Sequence, residues 1–211
     1  RAEIAKVGPE KAKAKRPFRL AIVQAETYDG VFYDAKWIVD KVGKLCDYIL
    51  FDCPPNIESC NVSALYAANR IIIPLELEAK CLKTMRRNED FLSKLTMLHP
   101  DFKWDKILVV PNKFKRENIK IKALGKLQDI YQNRSDVQLS AAVFANSAII
   151  DKCSESREPI YAYATKIGKD YKASAPQAKE FTDLFWVVIH EILDVELTHL
   201  IFQENEVSLD N

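Results

Sequence analysis

Residues Asp47–Pro55, with the sequence DYILFDCPP, indicate the fold more clearly than any other stretch of the chain. The apolar run Tyr48–Phe51 is typical of a buried β-strand. Two prolines follow at once, and they prevent the strand from continuing because proline cannot donate to a sheet ladder. One carboxylate, Asp52, therefore stands at the carboxyl end of a buried strand.

A single acid at that position is the arrangement with which P-loop nucleotidases hold the water shell of Mg²⁺. Such a strand needs a phosphate-binding loop as its partner, of the form Gly-x-x-x-x-Gly-Lys-[Ser/Thr] or a close variant. Upstream of Asp52 the glycines are Gly8, Gly30 and Gly43, and none of them lies in such a loop. The sequence thus predicts one half of a nucleotide site without the other half.

Apolar runs alternate with helical patterns along most of the chain. Strands are predicted over Phe18–Gln24, Tyr48–Asp52, Arg70–Leu75, Lys106–Pro111 and Val137–Phe144. Helices are predicted over Asp34–Leu45, Cys60–Ala68, Glu78–Leu98, Arg116–Gln132 and Ala178–Phe202. Because the strand centres are apolar without alternation, we expect an α/β fold with a mostly parallel sheet and helices on both faces. Ligands of such sheets bind at the carboxyl ends of the strands.

We expect one α/β domain over residues 18–203. It is preceded by a basic lead-in at residues 1–17, predicted as a polar helix or a flexible segment, and followed by an acidic tail at residues 204–211. The composition, 48% hydrophobic and 29% charged with a net charge of +1, is that of an ordinary globular domain and gives no whole-chain argument for nucleic acid. Five cysteines without a Cys-x-x-Cys pair predict reduced, partly buried thiols. The apolar runs are too short to span a membrane.

Three segments at and after the predicted strands resemble the ParA/MinD group of deviant-Walker ATPases, and specifically the ParA-type partition proteins. They are Asp47–Asn61, Ala64–Pro74 and Val143–Tyr161. We trace the resemblance in one register from about Phe18 to Leu193. The family's Gly-Gly-x-Gly-Lys-Thr loop and its Asp-x-Asp-x-Gln segment are missing. Because the chain begins with Arg, we expect the loop to lie upstream of Arg1 rather than to have been lost.

The resemblance implies that the intact protein binds and hydrolyses ATP with Mg²⁺. Asp52 would hold the Mg²⁺ shell through water, or alternatively serve only as a capping acid after a strand. Asn112 matches a position near adenine, although an asparagine is also favoured in a turn. Asn146 and Ser147 would close the other side of the base pocket, where Ala145 replaces the family's usual proline.

The resemblance also implies non-specific DNA binding by an ATP-bound homodimer in the cytoplasm, associated with the nucleoid. A ParB-type centromere-binding protein would be the partner that stimulates hydrolysis. Clustered cations suit sequence-independent contact with phosphates, although a solvated helix face remains the alternative. The candidate DNA-binding residues are Lys113, Lys115, Arg116, Lys120, Lys166, Lys169 and Lys172.

Two other interpretations remain open. A degenerate, non-catalytic relative would keep the sheet as a DNA- or partner-binding module. A MinD- or Mrp-like ATPase is disfavoured, because the last predicted helix is acidic opposite its apolar stripe and would be repelled by an anionic membrane. That stripe, which includes Phe181, Val188 and Ile192, predicts a helix packed on the core. We expect this chain alone not to hydrolyse ATP.

Overall fold

The computed structural model describes residues 3–6, 19–24, 35–54, 59–99, 103–165 and 175–194. These residues form an α/β fold, which confirms the predicted fold class. The chain divides into two compact units, the first within residues 1–69 and the second within residues 70–201.

The first unit contains a three-stranded sheet and two helices. Its elements are β1 (Glu3–Lys6), β2 (Arg19–Gln24), α1 (Ala35–Val42), β3 (Tyr48–Asp52) and α2 (Ser59–Ala67). The strand order is β1-β2-β3, with β1 antiparallel and β3 parallel to β2. The prediction of a helix or a flexible segment at the beginning of the chain was wrong for the residues of β1. These residues form a strand because their main chain pairs with β2. The strand β3 has the predicted bounds.

The two faces of the first sheet differ in burial. Ala21 and Val23 are buried, whereas Ile22 between them is 36% exposed and Leu50, its register partner on β3, is 47% exposed. Phe51 of β3, the partner of Val23, packs against a buried cluster formed by α1 and α2. The described helices of this unit therefore cover the face that carries Val23 and Phe51.

The second unit is larger and contains three parallel strands and five helices among its described residues. Its elements are β4 (Arg70–Glu76), α3 (Cys81–Leu98), β5 (Lys106–Asn112), α4 (Asn118–Tyr131), β6 (Gln138–Leu139), α5 (Ile149–Ser156), α6 (Ile160–Thr165) and α7 (Ala175–Leu193). The strand order is β4-β5-β6, and both pairings are parallel. The predicted strands and long helices of this region are confirmed, while α5 and α6 were not predicted.

The central strand β5 is covered on both faces, as the uniform apolar character of its sequence predicted. Leu108 and Val110 belong to a buried cluster with α5, α6 and α7. Val109, which points to the opposite face, belongs to a second cluster with α3 and α4 that includes the fully buried Leu127. The second unit is therefore a three-layered α/β structure with a core on each side of the sheet.

The last helix packs on the core as predicted. Phe181, Val188 and Ile192 of α7 are buried against the sheet. Glu191 lies on the acidic side of α7 and is only partly exposed. Its carboxylate accepts hydrogen bonds from the Ser140 hydroxyl and from the Ala141 main-chain N–H, so it fixes the chain after β6.

That contact also explains why β6 is shorter than the predicted Val137–Phe144. The N–H of Ala141 is bound by Glu191, and the N–H of Ala142 is bound at 3.0 Å by the Ser140 hydroxyl. These main-chain groups have side-chain partners instead of strand partners, so the ladder ends after Leu139.

Four cysteines are free thiols in the structure. Cys46, Cys81 and Cys153 are buried, and Cys53 is exposed. Burial raises the pKa of Cys81 and of Cys153, so both remain protonated near neutral pH.

Candidate functional site

Asp52 is the last residue of β3 and is exposed. Its register partner on the parallel strand β2 is Gln24. Two residues after Asp52, the Pro54 carbonyl accepts a hydrogen bond at 2.9 Å from the buried side-chain amide of Asn61 in α2. The carboxylate is therefore presented to solvent at the carboxyl end of the strand, where a hydrated metal ion has access to it.

Asn112 is the last residue of β5 and begins a tight turn. Its side-chain oxygen accepts a hydrogen bond from the Lys113 N–H at 2.7 Å, and its main-chain carbonyl accepts one from Leu77 N–H at 3.1 Å. Lys113 adopts a φ of 53°, in the left-handed region that costs a non-glycine residue about 1 kcal/mol or more. The side-chain oxygen of Asn112 therefore stabilises the turn, which is one of the two roles that the sequence predicted. Its side-chain amide nitrogen is the group that could bind a ligand.

The loop after β6 lies directly beside this turn. Phe114 and Ala145 form a parallel bridge, and the Asn146 N–H donates to the Phe114 carbonyl at 2.8 Å. The Ser147 hydroxyl accepts from the Ile149 N–H at 3.3 Å, at the start of α5. The structure therefore brings Asn112, Asn146 and Ser147 to one edge of the second sheet.

The predicted cations of this region differ in their surroundings. Lys113 Nζ forms an ion pair with Glu76 at 3.0 Å, and Lys120 Nζ donates to the Lys113 carbonyl at 2.8 Å. Lys115 and Arg116 are exposed and precede α4. Glu76 was not predicted as a residue of this region. Its position, an acid at the end of the strand next to β5, could have indicated it. Lys166, Lys169 and Lys172 lie outside the described residues.

Asp52 belongs to the first unit, whereas Asn112, Asn146 and Ser147 belong to the second. No group of three or more His, Cys, Asp or Glu side chains with the spacing of a metal site occurs among the described residues. In the described part of the chain, no helix is both long and apolar enough to cross a membrane.

A solved structure of the same fold is McdA from Cyanothece in complex with ATP. It superposes with a TM-score of 0.55 at 13% sequence identity, and the match covers 80% of this chain and 58% of that one. The similarity shows that the two chains share an α/β fold, in agreement with the parallel strands and flanking helices.

A partition protein is also found by sequence. The chromosome partitioning protein ParA of Myxococcus xanthus is 26% identical over 121 residues, which make up 57% of this chain and 41% of the ParA protein. This chain therefore spans less than half the length of that relative.

The beginning of the chain is similar to a different family. The model of the Orn/Lys/Arg decarboxylase major domain matches residues 1–58. The inducible ornithine decarboxylase of Escherichia coli is 63% identical over 49 residues, 23% of this chain and only 7% of the enzyme. This match overlaps the stretch from Phe18 that the sequence analysis assigned to the partition resemblance. The available signal was that residues 1–51 contain neither the phosphate loop nor the Asp-x-Asp-x-Gln segment of the partition family.

Proposed function

We propose that the chain carries a ParA-like partition module that serves DNA segregation of a plasmid or chromosome. The observation that carries the proposal is the meeting of the turn at Asn112–Phe114 with the loop at Ala145–Ser147, at the carboxyl edge of a parallel sheet. Ligands of α/β folds bind at this edge. The similarity to a ParA protein supports the same interpretation. In this role the intact protein is cytoplasmic and associates with the nucleoid.

ATP is the proposed nucleotide, with its base between the two loops. The amide nitrogen of Asn112 would donate to the base, while Asn146 and Ser147 close the other side. Asp52 would hold Mg²⁺ through its water shell. A complete ATP–Mg²⁺ site also needs a phosphate-binding lysine and a loop hydroxyl, and residues 1–51 contain no such loop. The residues present thus fit half of the site, and we expect this chain alone not to hydrolyse ATP.

The proposed nucleic-acid ligand is non-specific DNA. A homodimer of the protein would bind this DNA and would interact with a ParB-type partner. Lys115 and Arg116 precede the amino terminus of α4, where the helix dipole already favours an anion and disfavours added cations. Placing two exposed cations there favours phosphate binding over a purely structural role. Lys113 and Lys120 lie at the same edge, and Lys166, Lys169 and Lys172 are proposed contacts from sequence alone.

A second candidate is a non-catalytic relative that keeps DNA or partner binding without ATP turnover. The match of residues 1–58 to a decarboxylase domain favours it, because the first part of this chain is then similar to a different family from the partition proteins. A MinD- or Mrp-like protein is disfavoured, because Phe181, Val188 and Ile192 of α7 are buried in the core and are not available to a membrane surface.

The test is binding of random-sequence duplex DNA, measured by fluorescence anisotropy at several salt concentrations. The double variant Lys115→Ala/Arg116→Ala should weaken binding and reduce the slope of log affinity against log salt by about 1 to 2, since each phosphate contact contributes about 0.9. The control is Lys83→Ala/Lys94→Ala on the exposed side of α3, which should bind as the parent does. Equal losses in both variants, or no DNA binding by the parent, would contradict the proposal.

A further inference from the structure

We infer that the chain joins two segments of different descent between β3 and α2. In consequence, a decarboxylase-type strand, β2, occupies the place beside Asp52 where a partition ATPase would need its phosphate loop. The inference rests on the proposed function for the part of the chain that follows β3.

The two parts of the chain differ in their relatives and in their degree of similarity. The decarboxylase model ends at residue 58, six residues after Asp52. Ornithine decarboxylases are 60–63% identical over about 50 residues, whereas the ParA relative is 26% identical over 121 residues. A match of 121 residues is too long to lie within residues 1–58. A chain that descends from a single ancestral gene would not be similar to two unrelated families in its two parts, with sequence identities that differ this much.

The structure divides at nearly the same place. All three strands of the first sheet, β1, β2 and β3, fall within residues 1–58, and all three strands of the second sheet follow residue 69. The family boundary therefore separates whole sheets rather than cutting through one. The segment matched by the decarboxylase model supplies every main-chain partner of β3 in this sheet.

The sequence between β2 and α1 lacks the residues of a phosphate-binding loop. Such a loop connects a strand to a helix. The strand β2, whose Gln24 is the register partner of Asp52, is followed in the sequence by residues 25–34 before α1 begins. These residues include Glu26, Asp29 and Asp34, a single glycine and no lysine or arginine. The sequence after β2 is therefore not that of a phosphate-binding loop.

The join is accommodated by small residues. The helix α2 begins at Ser59, just past the decarboxylase match, and Ala64 of α2 packs with the buried Ala35 of α1. The Ser63 hydroxyl accepts a hydrogen bond from the Ala35 N–H at 2.9 Å. The first helix after the join therefore docks onto the last helix before β3 through contacts that need only small side chains.

The functional consequence concerns the class of ligand. Without phosphate recognition, the site keeps at most its base-binding loops and its DNA-binding cations. We expect ATP and adenosine to bind within about threefold of each other, because the triphosphate adds no favourable contact.

The experiment is calorimetric titration of the full natural polypeptide with MgATP and with adenosine, for the parent and for Asp52→Asn. Similar affinities, or no binding of either ligand, support the inference that the phosphate-binding half of the site has been replaced. Absence of binding would also contradict the proposed nucleotide binding. The DNA assay tests the proposed DNA binding separately. MgATP binding more than about 100-fold tighter than adenosine, and lost in Asp52→Asn, would overturn the inference and leave the proposed function standing.

The coding sequence immediately before Arg1 gives an independent test. Decarboxylase-type sequence running on into residue 1 in the same frame is the expected result. A Gly-Lys-Thr phosphate loop at that place would refute the inference.

Discussion

Lys106 and Asp194 form an ion pair although they are 88 positions apart, and the pair joins the start of β5 to the end of α7. Lys106 Nζ also donates to the Glu191 main-chain carbonyl in the last turn of that helix. Arg70, the register partner of Lys106 on β4, lies 3.2 Å from the Asp194 carboxylate. The hydrogen bond from Lys106 holds the pKa of Asp194 below its usual value. Two cations at the carboxyl end of a helix complement its dipole.

Removing the Lys106 ammonium should destabilise the second unit. Lys106→Met leaves the Glu191 carbonyl without that donor, and we expect a loss of about 1–3 kcal/mol in the free energy of unfolding. Urea unfolding followed by circular dichroism measures it. Lys179→Met, an exposed position on α7, is the matched control and should change stability by less than about 0.5 kcal/mol. Equal effects at the two positions would show that the contact at Lys106 contributes nothing.

The core on the α3–α4 side of the second sheet should be sensitive to cavities. Leu127 of α4 is fully buried, and Leu127→Ala should cost about 2–5 kcal/mol because it removes apolar contacts and leaves a void. Ile119→Ala on the same helix removes a side chain that is 61% exposed and should cost less than about 1 kcal/mol. Thermal and urea unfolding of both variants give the comparison, and a cost for Leu127→Ala as small as that of Ile119→Ala would contradict the described core.

Two glycines should respond to alanine in opposite directions. A Cβ at Gly125 in α4 meets no atom within 4 Å, so Gly125→Ala should raise stability by about 0.5–1 kcal/mol through the better helix propensity of alanine. A Cβ at Gly43 would lie 2.6 Å from the Val39 carbonyl oxygen, so Gly43→Ala should lower stability by about 1–3 kcal/mol. Melting temperatures of the two single variants check the signs, and a stabilising Gly43→Ala would refute the close approach.

Asp136 should make stability depend on pH in the acid range. Arg134 donates to both of its carboxylate oxygens, at 3.0 and 2.6 Å, and these hydrogen bonds lower the pKa of Asp136. A carboxyl whose pKa is lowered by folding contributes stability above its unfolded pKa, near 4, and loses it as the pH falls through the folded value. The pair is largely exposed, so Asp136→Asn should cost no more than about 1 kcal/mol at pH 7.

The measurement is urea unfolding of the parent and of Asp136→Asn at pH 7 and near pH 2.5. The difference between the two proteins should shrink at the lower pH, because the parent carboxyl is then protonated as well. A difference that stays constant with pH would assign the effect to packing instead of to charge.

The strands β2, β3, β4 and β5 were predictable because their signals are local, whereas β1 lies in a segment that was predicted as a helix or a flexible lead-in. The bounds of β3 agree with the prediction, and β4 and β5 begin at the predicted residues, since long apolar, β-branched runs bounded by proline are clear strand signals. The helices α5 and α6 were not predicted because their 8 and 6 residues are too few to establish a period. The early end of β6 depends on Glu191, which is 51 positions away from Ser140.

The positions of the candidate residues at the strand ends were predictable from the sequence, whereas the contacts between their side chains were less so. The rule that ligands bind at the carboxyl ends of parallel strands selected Asp52 and Asn112 correctly as residues of strand ends. The ion pair between Lys113 and Glu76 requires the register of β4 against β5, in which Glu76 stands opposite Asn112. Register is a tertiary property that one strand's sequence does not contain, and for that reason Glu76 was missed.

The join between β3 and α2 has an evolutionary meaning. The segment that the decarboxylase model matches ends at residue 58, so the join falls in the connection between two elements and outside the strands of either sheet. The main-chain hydrogen bonds of a sheet form among its own strands. Recombination in such a connection therefore leaves each sheet and its register intact. Sheets of this kind can be exchanged between genes, and a chain so formed can fold while losing the chemistry that either parent performed.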